Sequence, residues 1–304
     1  IPTPNAPIEE TVTMTPSMSN IPGIQSWTGA GRDYLAADFG LPGRSPFRPR
    51  PCPAWLGREY DELGGCMQFP DFIIQDIKDH AALCAPIEAC GLIAGGQFIP
   101  CENVHEDPEM AFRIAPEIYL DVVSRYGRID ALVHSHIDGP DHPTPSDMVG
   151  QMDMAVPWGI VVVRDGVPGN PFWFGDQLPI APLVGRSFRW GVYDCYGLVR
   201  DWYRIHRGIV LPNFPREWAF WEKGQNTIED NILAAGFERI PMADRPGDVV
   251  GMRILGPVTN HVAVHLGGGL IGHHQIDRLS RMDDSLGKWR NRVTFYARLK
   301  GEEL

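Results

Sequence analysis

The spacing of apolar and polar residues predicts regular elements from about residue 70 onward. In FIIQDIKDHAALC the apolar residues recur at helical spacing, which predicts a helix ended by Pro86. Its apolar face would comprise Ile73, Ile74, Ile77 and Leu83. The apolar run ACGLIAG that follows predicts a strand.

Three further elements continue this pattern. DALVHSH and WGIVVVRDG predict strands, the second of them buried and closed by a turn. Between them SDMVGQMDMAV predicts a helix whose N-cap is Thr144 or Ser146, because a side-chain hydroxyl there accepts from the backbone. This alternation of helices and strands indicates an α/β or α+β unit over roughly 70–175.

A second unit follows GDQLPIAPLVGRS, whose prolines and glycines predict a linker. A helix from Cys195 to about Arg207, a polar and aromatic insert and a strand-rich end indicate a small α+β domain. Residues 1–69 are rich in Pro, Gly and Ser and predict an extended arm, either a disordered tail or a segment that folds onto a partner. The predicted domains are 1–69, 70–176 and 177–304.

Composition and charge limit the classes of molecule that this chain is expected to bind. The chain has 304 residues, 43% of them apolar, with a formal charge of -11 and no cluster of Lys and Arg, which argues against a nucleic-acid partner. No apolar run reaches the roughly 18–20 residues of a membrane-spanning segment. The chain opens IPTPNAPIEE, without a basic leader or an apolar signal core, so a standard secretion signal is not indicated.

The stretch HSHIDGPDHPTPSD holds a candidate metal site. Alternate residues of a strand point the same way, so His134 and His136 present two imidazoles to one ion. Asp147 follows a Gly/Pro turn at the start of the next helix and returns a carboxylate to that ion. Two His and one Asp leave a fourth position open on a tetrahedral Zn²⁺, as a hydrolytic site requires.

Hydrolysis at such a site also needs a base that is not a ligand. Glu88, at the start of the EACGLIAG strand, is the candidate, because its carboxylate could hold the water and pass its proton to the leaving amine. His142, Asp138 and Asp141 are alternative ligands, although they lie in a Pro/Gly loop.

These residues resemble the JAMM metallopeptidases, whose pattern is an upstream Glu, then His-x-His, seven residues, Ser, two residues and Asp. The corresponding residues here are Glu88, His134, His136, Thr144 and Asp147. Thr stands in place of Ser, and Ile137 stands where the family often has Pro. The resemblance covers about residues 70–170 and implies a JAMM-like α/β zinc domain that hydrolyses an amide or isopeptide bond, with the Thr144 hydroxyl supporting the oxyanion.

The segment WGVYDCYGLVRDWYRIHRG places a cysteine at a helix N-terminus. Asp194 is positioned as the N-cap of this helix, directly before Cys195. The apolar face behind it would be Leu198, Val199, Trp202 and Ile205. Free N–H groups and the helix dipole favour the nucleophilic thiolate at such a position.

A hairpin in NHVAVHLGGGLIGHH is predicted to carry the base. A symmetric three-residue turn, Gly267–Gly269, would pair Leu266 with Leu270 and Ala263 with His273.

With this register two histidines share one sheet face. His261 and His273 are then diagonal neighbours, roughly 7–8 Å apart at the backbone. His261 would be the base for Cys195, and His273 the residue that orients it. A slip of one residue would bring His274 to that face instead.

This half resembles the NlpC-type cysteine peptidases in DCYGLV, in PGDVV at Pro246 to Val250, in NHVAV and in His273, with Tyr196 where many members have Ser. The resemblance covers about residues 184–300. It implies an NlpC/papain-like α+β fold and a cysteine endopeptidase that hydrolyses bacterial peptidoglycan peptides.

A JAMM-like unit followed by an NlpC-like unit is similar to the tail assembly protein K group of long-tailed bacteriophages, especially in LVGRSFRWGVYDCYGLVRDWYR. The resemblance implies a tail-tip component of the virion, made in the host cytoplasm, with other tail-tip proteins and peptidoglycan as partners. One hypothesis is a hydrolase acting in tail assembly and cell-wall penetration. The alternative is a structural tip protein whose catalytic domains are occluded or vestigial. An intracellular deubiquitinase-like role leaves the cysteine half unexplained.

The remaining cysteines are expected to be free thiols, because a chain of this length needs no disulfide scaffold. They are Cys52, Cys66, Cys84, Cys90 and Cys101. An iron–sulfur cluster drawn from this set is the alternative, although no pair has C-x2-C spacing.

Overall fold

The computed structural model describes residues 69–254 and 256–301. The predicted arm, apart from Phe69, lies outside the described residues, as do Cys52 and Cys66. The described part contains two six-stranded sheets, each with its own helices. The chain therefore has a mixed α and β fold, as the residue pattern predicts.

The first sheet has the strand order β2-β1-β3-β4-β5, and β6 pairs with β4. Its strands are β1 (Cys90–Ala94), β2 (Gln97–Cys101), β3 (Ala131–Ile137), β4 (Trp158–Arg164), β5 (Val167–Pro168) and β6 (Phe172–Phe174). Its helices are α1 (Asp71–Cys84), α2 (Pro116–Tyr126) and α3 (Pro145–Met154). Strands β3 and β4 run parallel, so the chain must cross over between them, and α3 lies in that crossover.

Helix α1 covers one face of this sheet. Ile73, Ile77 and Ala81 are buried, and the helix ends at Cys84, in agreement with the prediction. The placement of Leu83 on the buried face is wrong, because its side chain is 83% exposed. Leu83 lies six residues after Ile77, about 240° around the helix, which turns it away from the sheet.

The second sheet is antiparallel, with the order β11-β10-β9-β8-β12-β7. Its strands are β7 (Phe237–Ile240), β8 (Val249–Met252), β9 (His261–Gly267), β10 (Leu270–His273), β11 (Arg281–Ser285) and β12 (Val293–Leu299). Helices α4 (Cys195–Arg207) and α5 (Thr227–Ala234) precede it, and a 3-10 helix (Leu286–Arg292) joins β11 to β12.

Helix α4 packs on this sheet, and its bounds, Cys195–Arg207, agree with the prediction. Leu198, Val199 and Trp202 are buried in one apolar cluster with residues of β8 and β9. The prediction that Ile205 shares this face is wrong, because Ile205 is 49% exposed. Tyr203 occupies the buried position instead and is fully enclosed.

The hairpin of β9 and β10 has the predicted register at its histidine end and a bulge near its turn. Ala263 pairs with His273, as expected. The predicted pair Leu266 with Leu270 is wrong, because Leu270 pairs with Gly267 and the register then shifts by a bulge. The bulge adds one residue to β9, so the shorter turn and the predicted histidine register coexist.

Two candidate active sites

The first candidate site lies at the end of β3. His134 and His136 project from the same side of this strand, and their Nε2 atoms are 3.1 Å apart. Asp147 approaches from the first turn of α3, with its two oxygens 3.2 Å from His134 Nε2 and 3.3 Å from His136 Nε2. The βαβ crossover thus brings together three residues that the sequence separates.

The first turn of α3 fixes the carboxylate. Thr144 is the N-cap, and its hydroxyl accepts from the Asp147 N–H at 3.2 Å. In return Asp147 Oδ2 accepts from the Thr144 N–H at 2.7 Å and from its hydroxyl at 2.8 Å. A hydroxyl has one hydrogen to donate, so supporting an oxyanion would require the Thr144 side chain to rotate.

The three ligand candidates fit a zinc ion. Zn–N and Zn–O bonds of about 2.0–2.1 Å in a tetrahedron separate the ligand atoms by about 3.3 Å, which agrees with the spacing just described. His136 Nδ1–H donates to the Pro140 carbonyl at 2.8 Å, which directs its Nε2 toward the site. His134 Nδ1 has no hydrogen-bond partner among the described residues, and Phe112 stacks on its ring.

Charge also favours a cation here. Burial opposes ionisation of Asp147, but His134 and His136 outweigh it and hold the pKa of this carboxyl well below its usual range. Within the described part of the chain, these three residues are the one group of at least three His, Cys, Asp or Glu side chains with converging ligand atoms. Cys84, Cys90 and Cys101 form no such group and are free thiols.

The alternative ligands have other contacts. The ring of His142 stacks against Trp218, with 5.8 Å between centroids. Asp138 Oδ1 accepts from the Asp165 N–H at 3.2 Å. The backbone carbonyl of Asp141, rather than its carboxylate, accepts from Arg189 at 2.6 Å. None of the three joins the group around His134 in the described structure.

Glu88 lies beside the candidate metal ligands. Cys90 pairs with His134, and the same antiparallel register continued outward sets Glu88 opposite His136 on one sheet face. Its side chain is buried, and burial raises the pKa of Glu88 to about 7, while the charge of His136 acts in the opposite direction. A carboxyl group that titrates near neutrality suits both acceptance and release of a proton.

The second candidate site begins at Cys195, the first residue of α4. Asp194 caps this helix, because its Oδ1 accepts from the Gly197 N–H at 2.8 Å. Its Oδ2 accepts from buried Arg216 at 2.7 Å. A Cβ at Gly197 would lie 2.3 Å from the Val192 carbonyl, so the turn that presents the cysteine requires glycine there.

The expectation of a stabilised thiolate is wrong for this structure. Cys195 is 5% exposed, and burial together with the charge of Asp194 raises the pKa of its thiol to about 12. The backbone N–H of Val262 and the charge of Arg216 act in the opposite direction but are outweighed. Cys195 therefore rests as a protonated thiol, and it would need a base to act as a nucleophile.

Two histidines meet on the strands that pack against α4. His261 Nε2 lies 3.0 Å from His273 Nδ1, and both rings are buried. Burial, with His273 and His274 nearby, lowers the pKa of His261 well below its usual value. The next residue, His274, faces elsewhere and donates from Nε2 to the Arg278 carbonyl at 3.1 Å.

A carboxylate that the residue pattern did not indicate lies beyond His273. Asp284 Oδ2 on β11 is 3.3 Å from His273 Nε2. Lys288 donates to Asp284 Oδ1 at 2.6 Å and Trp289 to Oδ2 at 3.1 Å. The spacing of Asp284 and Lys288 by four residues was the available signal, but it does not identify the histidine that the carboxylate faces.

Comparison with known proteins places this chain in a family. The chain is 30% identical over 233 residues to the tail tip assembly protein K of Escherichia phage N15, covering 75% of this chain and 94% of that protein. The tail tip assembly protein K of Escherichia phage lambda is 36% identical over 181 residues, covering 59% of this chain and 86% of that protein. This chain belongs to the tail tip assembly protein K family.

Two narrower similarities lie within this K-family chain. Residues 185–298 match the NlpC/P60 family, a span that contains Cys195, His261 and His273. A probable TtuB-protein conjugate cleaving protease of Thermus thermophilus is 30% identical over 120 residues, covering 34% of this chain and 80% of that protein.

In the K-family chain Arg189 connects the segment before α4 to the loop that follows β3. This residue precedes α4, and its guanidinium donates to the Asp141 carbonyl at 2.6 Å and lies 3.9 Å over the Phe172 ring. Asp141 directly follows Pro140, whose carbonyl orients His136. The segment before Cys195 therefore contacts the loop that supports a metal-ligand candidate.

The helices in the described part of the K-family chain were compared with the requirements for a membrane-spanning helix. Across residues 69–254 and 256–301, no helix combines the length and apolarity needed to cross a bilayer.

Proposed function

We propose that residues 177–304 form a cysteine endopeptidase that cleaves peptidoglycan stem peptides. The observation that carries this proposal is the 3.0 Å contact between His261 and His273 on the sheet that supports Cys195. A cysteine at a helix N-terminus, a buried imidazole and an orienting partner are the parts that nucleophilic catalysis needs. The NlpC/P60 match over residues 185–298 supports the same reaction class.

The geometry suggests general-base catalysis. Because its pKa is low, His261 is neutral near pH 7 and can accept the thiol proton of Cys195. The sulfur then attacks the peptide carbonyl carbon, and His261 returns the proton to the departing amine. Water hydrolyses the resulting thioester, with His261 again accepting a proton, and the free thiol is restored.

We also propose that residues 70–176 form a JAMM-like zinc hydrolase of an amide or isopeptide bond. His134, His136 and Asp147 would hold the ion, and Thr144 would orient the carboxylate through the capping hydrogen bonds. Zinc bound there supplies a Lewis acid that activates water near neutral pH. Glu88 would accept the proton of that water and pass it to the leaving amine.

The K-family relationship supports a setting at a phage tail tip. The N15 and lambda relatives are tail tip assembly proteins, and the Thermus relative is a probable conjugate cleaving protease. We propose that this chain is a virion component made in the host cytoplasm that contacts other tail-tip proteins and peptidoglycan. Residues 1–69 would supply an arm for those contacts.

A structural tip protein with closed catalytic domains is the second candidate function. The observation that favours it is burial: Cys195 is 5% exposed and His134 only 2%. Little of either side chain is therefore exposed to an incoming substrate. In this alternative both centres stabilise the fold, and neither turns over.

Digestion of purified peptidoglycan separates the two candidates. We expect the wild type to release peptide fragments, Cys195→Ala to release none, and His134→Ala to act like wild type on this substrate. Cys84→Ala, which removes a partly buried thiol outside the site, is the matched control and should retain activity. Equal product from wild type, Cys195→Ala and His134→Ala would contradict the peptidase proposal.

Elemental analysis of purified protein tests the metal. We expect about one zinc per chain, lost in a His134→Ala, His136→Ala double variant and retained in His105→Ala, which changes a loop histidine outside the site. Iron without zinc would overturn the assignment and favour the cysteine-based cluster.

A further inference from the structure

We propose that Asp284 is a positioning residue that sets where the protons lie on His261 and His273. The inference rests on the proposed cysteine peptidase function, in which His261 acts on Cys195. It follows from the order of contacts in the buried row that runs from His261 through His273 to Asp284.

The first step concerns His261. A neutral imidazole has one N–H and one lone pair, and a base must present the lone pair to its proton donor. His261 Nε2 is engaged by His273, so the nitrogen left for Cys195 is Nδ1. For Nδ1 to accept, the hydrogen of His261 must be on Nε2, where it is donated to His273 Nδ1.

The second step follows for His273. Because its Nδ1 accepts from His261, its own hydrogen must be on Nε2. This nitrogen is buried and lies 3.3 Å from Asp284 Oδ2, without the alignment of a complete hydrogen bond. A carboxylate only accepts, so this neighbour favours the hydrogen on Nε2 and thereby the productive arrangement on His261.

The third step concerns the carboxylate itself. Lys288 and the Ser285 N–H both donate to Asp284 Oδ1, at 2.6 and 2.9 Å, which leaves Oδ2 directed at His273. Asp284 is only 4% exposed. Its negative charge also stabilises the imidazolium that forms when His261 takes the thiol proton.

Other charges around the two imidazoles do not substitute for Asp284. They are His274, Arg281, Asp283 and Lys288. His274 faces the Arg278 carbonyl, and Lys288 is paired with Asp284. The side chain of Asp283 is 74% exposed and paired with Arg281, so solvent screens it from the rings.

The test measures alkylation of Cys195 by iodoacetamide as a function of pH, with the modified peptide quantified by mass spectrometry. The full chain is compared with Asp284→Asn and with Asp283→Asn, the adjacent exposed carboxylate, as the matched control. We expect Asp284→Asn to slow alkylation at pH 7 about tenfold and to move the midpoint about one pH unit higher, because an uncharged amide stabilises the imidazolium less. Asp283→Asn should shift the profile far less.

Identical profiles for wild type and Asp284→Asn would overturn the proposal. If Asp284→Asn does not fold, Asp284→Glu and Asp284→Gln provide the same comparison of charge within one longer side chain. Cys195 should be alkylated faster in Asp284→Glu than in Asp284→Gln. Equal rates in these two variants would also overturn the proposal.

Alkylation needs no substrate, so this result is independent of the peptidoglycan assay. A shifted profile in a protein that leaves peptidoglycan intact supports the role of Asp284 and contradicts the proposed substrate. Cleavage by the wild type with no shift in Asp284→Asn supports the substrate and contradicts the role of Asp284.

Discussion

Replacement of Asp194 by Ala should destabilise the second half of the chain more than the removal of any exposed charged side chain. The Asp194 carboxylate is fully buried and accepts from the N–H groups of Gly191 and Gly197, at 2.9 and 2.8 Å. It also pairs with the Arg216 guanidinium at 2.7 Å. One side chain thus caps α4 and neutralises a buried cation.

The magnitude follows from these contacts. Removal of one partner of a buried ion pair costs about 3–5 kcal/mol, because the remaining charge is left without compensation. Loss of an N-cap costs about 1 kcal/mol. Arg216 keeps its bonds to Asn213 and the Phe214 carbonyl, and the two losses share one side chain, so we expect about 4 kcal/mol in total. Asp194→Asn keeps the cap and should lose about 3 kcal/mol.

Urea unfolding followed by near-UV circular dichroism measures this difference in the free energy of unfolding. The control is Asp121→Ala, which breaks the exposed pair of Asp121 and Arg125 and should cost less than about 1 kcal/mol. A loss below about 1 kcal/mol for Asp194→Ala, equal to that of the control, would refute the reasoning. In folded Asp194→Asn the pKa of Cys195 should also fall, because the charge of Asp194 raises it.

Three further predictions concern the metal centre and the effect of pH. Thr144→Val removes the hydroxyl that caps α3 and holds Asp147, and should weaken zinc binding 10- to 100-fold in a chelator competition assay; unchanged affinity would contradict the role of this hydroxyl. Arg189→Ala removes the contact with the Asp141 carbonyl and should also weaken zinc binding, whereas Arg125→Ala should not; equal affinities would show that Arg189 does not support the site. Burial lowers the pKa of His274 from 6.5 to about 4, so the unfolded chain binds the extra proton between these values and stability falls as pH falls through that window. The melting temperature of His274→Phe should therefore depend less on pH between 4 and 6.5, and an unchanged dependence would argue against this cause.

The local sequence pattern predicted the structure correctly wherever residues close in the chain determine where a side chain lies. Alternation along β3 predicts that His134 and His136 share a side, because successive strand residues point to opposite faces. The caps Thr144 and Asp194 are likewise local, since each accepts from a backbone N–H three residues later. The pairing of Ala263 with His273 was also predicted from the hairpin residues.

Local pattern failed where solvent exposure decides the outcome. A helix N-terminus favours a thiolate, yet the pKa of Cys195 is raised to about 12, because burial and Asp194 outweigh the helix. The exposure of Leu83 and Ile205 likewise depends on where each helix meets its sheet. Desolvation depends on every element packed around a group, and apolar spacing within one segment does not report it.

The sequence by itself determined the two helices that present Asp147 and Cys195, the strand that presents the paired histidines of the metal site, and their order along the chain. These features depend on contacts within a few residues. Only the tertiary structure decided that Asp284 faces His273 and that Arg189 contacts the loop beside His136. Such contacts join residues that are distant in the chain, and the packing of sheets and helices sets their separation.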